Sequence, residues 1–226
     1  MPLHNVPRPG PVGLIPTNIR AFLREADRRI RGYYRRYRNS AFVPCNFRGA
    51  YGILQHLAAQ AGAAGTLFCE WGSGFGVVTC LAALLEFDAY GIEVDSTLVR
   101  ASRHLAADFG LPVEFAHGSF IPAGDRLLMR AAGSFAWLTT TEAPAHEELG
   151  LATEDFGIIF TYPWPDEERA LGQLFERHAG AGALLVTHHG GEDFASVESP
   201  ANSKGNSHVA WLPRWACYGA SSTPCV

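Results

Sequence analysis

The chain has 226 residues, 47% of them hydrophobic and 18% charged, with a formal net charge of −4. That length holds one domain with a sizeable core, with or without a small appendage, and no apolar run approaches the ~20 residues that cross a bilayer. The five cysteines (Cys45, Cys69, Cys80, Cys217 and Cys225) are odd in number and form no Cys-x-x-Cys pair, which argues against a disulfide framework and a zinc site. The first ten residues lack a charged head followed by an apolar stretch, so the expectation is a cytoplasmic protein without a secretory signal. The charge is unevenly placed: residues 1–50 carry +8 and the remainder −12.

Residues 1–16 contain five prolines and two glycines and read as an extended, disordered lead. Thr17 is the expected N-cap of a helix running to about residue 38. Its apolar positions Ile19, Phe22, Leu23, Ala26, Ile30, Tyr33, Tyr34 and Tyr37 recur near a 3.6 period, and Arg20, Arg24, Arg28, Arg31, Arg35 and Arg38 fall on its other face. That face is either a solvated surface or a contact for nucleic-acid phosphates. Residues 39–46 read as a connector and 50–62 as a second helix. An alternation follows: strand 66–71, helix 75–86, strand 89–94, helix 96–109, strand 112–117. Residues 119–153 interrupt it, with a helix expected at about 124–132 and an added strand or packed loop at Phe135–Thr139. Then come strand 157–162, helix 166–178 and strand 183–188. Such alternation predicts a parallel sheet covered by helices on both faces. Cys69 in the first strand and Cys80 in the following helix are expected to be core fillers.

The informative stretch is Thr66-Leu-Phe-Cys-Glu-Trp-Gly-Ser-Gly-Phe-Gly76, an apolar strand ending in Glu70 and followed by Gly72, Gly74 and Gly76. A second strand, Ala89-Tyr-Gly-Ile-Glu-Val-Asp95, ends in Glu93, 21 positions after Gly72. A strand, a glycine turn, a helix and an acid-tipped second strand make a nucleoside-binding unit. The third glycine of a dinucleotide fingerprint would fall at position 77, which is Val77. With its acid inside the motif, the pattern resembles that of the class I S-adenosylmethionine-dependent methyltransferases.

This resemblance spans residues 50–190 and implies an α/β, Rossmann-like three-layer sandwich with S-adenosylmethionine as cofactor. It implies that Gly72, Gly74 and Gly76 let the backbone approach the ligand. Glu70 would sit under the amino group of the methionyl head, and Glu93, shared with or replaced by Asp95, would accept the ribose hydroxyls. Ser119 stands where relatives place an adenine-binding acid, and Phe120 is a candidate to cover the adenine ring. After strand four, Tyr162-Pro-Trp164-Pro stands where amino-group methyltransferases carry Asn-Pro-Pro-Tyr, so Tyr162 and Trp164 are the candidate catalytic pair, able to attract a sulfonium through their ring faces. His188 and His189 point to opposite sides of an extended segment and are poor joint metal ligands, so no metal is assigned.

The expected division is a lead over 1–16, an Arg-rich helix and connector over 17–49, the cofactor-binding domain over 50–194 and an irregular tail over 195–226. The antiparallel strand pair that closes this fold is expected to be abbreviated or replaced by irregular chain. The expected activity is methyl transfer to a nitrogen or oxygen of a protein, RNA or small molecule. Two rivals stay open: a non-catalytic S-adenosylmethionine-binding module and a nicotinamide-dependent oxidoreductase.

Overall fold

A computed structural model describes residues 14–38, 41–63, 65–125, 138, 143, 145–191 and 193–199. Most of the expected lead, most of the helix expected at about 124–132, most of Phe135–Thr139 and the tail beyond 199 lie outside the described residues. In chain order the elements are α1 (Thr17–Arg36), α2 (Phe47–Ala61), β1 (Leu67–Trp71), α3 (Val77–Ala83), β2 (Asp88–Glu93), α4 (Ser96–Asp108), β3 (Val113–His117), α5 (His146–Leu149), β4 (Ile158–Thr161), α6 (Glu168–His178), β5 (Leu184–His188) and β6 (Phe194–Glu198).

The six strands form one Rossmann-like sheet in the order β3-β2-β1-β4-β5-β6. The first five are parallel, and β6 runs antiparallel to β5, with Val186 opposite Ser196. The chain moves outward from β1 to β3 and then returns to lay β4 on the other side of β1. This reversal opens a crevice beyond the carboxyl ends of β1 and β4, the place where doubly wound sheets bind ligands.

Period-2 alternation sends successive strand residues to opposite faces. Phe68, Phe115, Phe160 and Val186 pack under α1–α4. Cys69, Trp71, Ile159 and Leu185 pack against α6 and the loops around Ile121 and Phe156. The sheet is therefore covered on both faces, as the alternation of elements predicted. Cys69 and Cys80 are fully buried, and burial pushes both thiols well above their usual range, in keeping with core filling.

Three local expectations are corrected. Thr17 is the first helical residue of α1 rather than its cap; Pro16 holds the cap position, and the Thr17 hydroxyl accepts from Arg20 Nη2 at 3.1 Å. Proline's fixed φ and missing N–H suit a helix start. α2 begins at Phe47, three residues before the expected start, because the Asn46 side chain caps it by accepting from Gly49 N at 3.1 Å. The stretch expected to be irregular from 195 onward begins instead as strand β6, which borrows its ladder from β5. A single antiparallel strand thus forms this edge of the sheet among the described residues. No helix among them is long and apolar enough to cross a membrane.

Candidate functional site

The glycine turn is held by backbone bonds from both ends. Gly72 N and Ser73 N both donate to Ile92 O at 2.9 Å, and Gly76 N donates to Ser73 O at 2.7 Å. Gly72, Gly74 and Gly76 have φ of 74°, 53° and 67°, a left-handed path that favours glycine. Space differs among them. A Cβ on Gly72 would meet nothing within 4 Å, one on Gly74 would strike the Phe42 ring at 2.4 Å, and one on Gly76 would strike Phe115 and Ser102. Gly72 and Gly74 line the main cavity, whereas Gly76 is the N-cap of α3 and serves the packing of α3 on α4 and β3.

Glu93 closes the turn from β2. Its Oε2 accepts from Gly74 N and its Oε1 from Asp95 N, both at 2.8 Å. Burial pushes this carboxyl above the usual range, while the Asp95, Gly74 and Val94 amides work against that shift. Asp95 lines the cavity and caps α4, its Oδ1 accepting from Thr97 N at 2.7 Å.

Glu70 lies elsewhere than expected. It points to the face of the sheet covered by α1–α4, and its Oε2 accepts from Thr79 N at 2.9 Å and Thr79 Oγ1 at 2.6 Å. It holds the first turn of α3 and does not line the cavity. Burial pushes its carboxyl up to about 8, against the two Thr79 bonds, with the nearby Glu93 charge adding to the rise. The neighbouring residue, Trp71, faces the cavity instead, and Phe120 stacks on it with ring centroids 4.9 Å apart and planes 4° apart. Sequence reasoning missed Trp71; strand alternation after a buried Glu70 was the signal that could have found it. Ser119 Oγ accepts from Ile121 N at 3.1 Å and orders the turn after β3.

Beyond β4, Tyr162 and Trp164 both line the cavity. The Tyr162 ring lies 4.3 Å from the His188 imidazole, which lies 4.5 Å from Phe194, so β5 and β6 support the loop through a stack of rings. Burial is the main cause that lowers the His188 pKa below the usual imidazole value. Asp166 holds a left-handed φ of 74° at the end of this loop. His189 lines the cavity, bonded to the Thr187 hydroxyl at 2.8 Å. The connector Ala41-Phe42-Val43 forms a further wall that the sequence did not reveal; the Tyr34 hydroxyl pins it by donating to Phe42 O at 2.7 Å.

The cavity, of about 770 Å³, is therefore built at the carboxyl ends of all five parallel strands. Among the described residues its charged lining is Glu93, Asp95, Glu167 and Glu168, with no lysine or arginine. An aromatic, acid-lined cavity favours a ligand that is flat, partly apolar and positively charged.

No protein-family model matches the sequence and no curated protein matches it. Among solved structures, the chain is similar to an RNA methyltransferase from Salinibacter ruber in complex with S-adenosyl-L-homocysteine (17% identity, 68% of this chain and 94% of that one, TM-score 0.48). It is similar also to a methyltransferase from Geobacter sulfurreducens (19% identity, 78% and 82%, TM-score 0.47) and to an O-methyltransferase from Bacillus cereus (17% identity, 77% and 68%, TM-score 0.47). The fold assignment rests on this chain's own strand order and register.

Proposed function

We propose that the chain is an S-adenosylmethionine-dependent methyltransferase acting on a nitrogen or oxygen nucleophile. One observation carries this reading: Glu70 occupies the N-terminus of α3. In a dinucleotide site that helix end receives the pyrophosphate on its free N–H groups. Here Thr79 N already donates to the Glu70 carboxyl, and the cavity beyond is lined among the described residues by Glu93, Asp95, Glu167 and Glu168 with no lysine or arginine. A pyrophosphate is repelled, whereas a sulfonium is attracted. This favours S-adenosylmethionine over a nicotinamide cofactor, in line with Val77 in place of a third glycine.

The residues fit such a ligand. Glu93 would accept the ribose hydroxyls at the tip of β2, with Asp95 beside it. The backbone at Gly72 and Gly74 would lie along the methionyl part. Ser119, Phe120 and the stacked Trp71 would bound the adenine end. When bound, the cofactor supplies a methyl group on a sulfonium. The chain's own part is to hold an acceptor in line near Tyr162 and Trp164 and to exclude water, and such positioning supplies much of the rate gain in direct transfer.

The test is a pair of measurements on purified protein. S-adenosylhomocysteine should raise the melting temperature, and NAD and NADP should leave it unchanged. Radiolabelled S-adenosylmethionine should then label an acceptor in protein, RNA or small-molecule pools. A stabilising response to a nicotinamide cofactor alone would overturn the reading; S-adenosylhomocysteine binding with no transfer to any pool would make the chain a binding module.

A further inference from the structure

The main cavity disfavours negative charge, because its described lining holds four carboxyl groups, Glu93, Asp95, Glu167 and Glu168, and no lysine or arginine. Positive charge is gathered just outside it. On α1 the residues Arg20, Arg24, Arg28, Arg31 and Arg35 recur at helical spacing on the side opposite buried Ile19, Phe22, Ala26, Ile30 and Tyr33. Arg28 and Arg31 are paired along the helix with Glu25 and Asp27, at 2.5 and 2.7 Å. Arg35, Arg36 and Arg38 are exposed and have no carboxylate partner among the described residues. With the rings of Tyr33 and Tyr37 they line a shallow groove of about 620 Å³. Ala41 and Asp95 line both this groove and the main cavity, so the two adjoin. Among the described residues Asp95 is the one acid that lines the groove, and its Oδ1 is turned to the α4 amides of Thr97 and Leu98.

We propose that this groove holds the phosphodiester backbone of a single-stranded nucleic acid, leaving a base free to enter the main cavity. The proposal rests on the methyltransferase reading for the fate of that base. Guanidinium forks match phosphate oxygens, and three of them gathered at the C-terminal end of α1 can engage neighbouring phosphates of one strand. Tyr37 is 38% exposed, with Arg36 lying 5.6 Å from its ring centroid, a platform on which a base can stack. A base is flat and uncharged, so it suits an aromatic cavity whose carboxylates exclude the phosphates that stay behind. A single strand offers such a base without the cost of opening a duplex.

The experiment uses the full chain and fluorescently labelled single-stranded RNA and DNA of roughly 12 nucleotides, read by anisotropy across a salt series. The wild type is expected to bind at least one strand. The variant R35Q/R36Q/R38Q is expected to bind about tenfold or more weakly, with a slope of log affinity against log salt shallower by about 2, which is three phosphates at ~0.7 each. Replacing the same three residues by lysine should restore part of the binding, and S-adenosylhomocysteine affinity, measured by calorimetry, should stay within about twofold in both variants, as these side chains lie outside the main cavity. Strand binding by the glutamine variant equal to wild type, or no salt-dependent strand binding by wild type, overturns the proposal. So does full competition by a nucleoside monophosphate at matched phosphate concentration, which would make the groove a small-anion site. Strand binding that depends on the three arginines, in a protein that does not bind S-adenosylhomocysteine, upholds the groove and rejects the cofactor reading.

Discussion

The Gly74 amide donates to the Glu93 carboxylate at 2.8 Å, across nineteen positions of sequence, so the glycine turn after β1 and the tip of β2 form one hydrogen-bonded unit. The second oxygen of Glu93 accepts from Asp95 N at the same distance. A carboxylate fixed on both oxygens by backbone donors has a set orientation, with its remaining lone pairs available to a diol.

Glu93→Ala should therefore weaken S-adenosylhomocysteine binding by about 1–3 kcal/mol, the usual cost of stranding buried polar partners. It should also lower the melting temperature, since Gly74 and Asp95 lose an acceptor. Calorimetry checks the first effect. Unchanged affinity in a folded variant would show that the ribose lies away from β2.

Glu70 makes stability depend on pH. Its carboxyl stands at about 8 in the folded chain against an ordinary value of 4.5, so between these values the folded state holds a proton that the unfolded chain releases. The contribution is fully present below about 4.5 and is lost as pH rises through about 8. Glu70→Gln removes this titration. Denaturant unfolding at a series of pH values should show the wild type losing stability relative to the variant across that window; a difference that does not change with pH would refute it.

Gly76 and Gly74 should respond differently to the same substitution. Gly76→Ala drives a methyl into Phe115 and Ser102 at a φ of 67° and should cost about 1–3 kcal/mol of stability, with cofactor affinity retained in the folded fraction. Gly74→Ala collides with Phe42 beside the cavity, so it should weaken S-adenosylhomocysteine binding as well. Phe42→Ala should relieve part of the stability cost of Gly74→Ala, which a double-mutant cycle of melting curves would read as non-additivity. Strict additivity would mean that the ring and the turn do not interact.

Trp164→Ala and Tyr162→Phe test the acceptor corner. Trp164→Ala should lower kcat/KM for methyl transfer about tenfold, the scale of one desolvated ring–cation contact, with little change in S-adenosylhomocysteine affinity. Tyr162→Phe keeps the ring against His188 and should preserve stability, so a loss of rate would isolate the hydroxyl. Equal kinetics in both variants would move the acceptor away from the loop after β4.

The elements were legible because their signals are local. Apolar runs bounded by glycine and acids marked β1, β2, β4 and β5 to within a residue or two, and helical spacing marked α1, α4 and α6. Glu93 was recognisable from its place at the end of a strand at a set distance from the glycine turn. β6 was not, since its residues Phe194–Glu198 form a strand only by taking hydrogen bonds from β5, and edge pairing leaves no clear period in the segment itself.

Sequence alone thus settled the alternating α/β layout, the glycine turn and the acid at the tip of β2, because each depends on residues near one another in the chain. Tertiary packing decided which carboxylate meets the cavity and which meets a helix. Glu70 and Trp71 are neighbours, yet the pleat sends one to the amide of Thr79 and the other to the ring of Phe120. It also laid Phe42 against Gly74 and set Arg35, Arg36 and Arg38 beside Asp95. These contacts depend on how α1 docks on the sheet, and no spacing within a single segment encodes that docking.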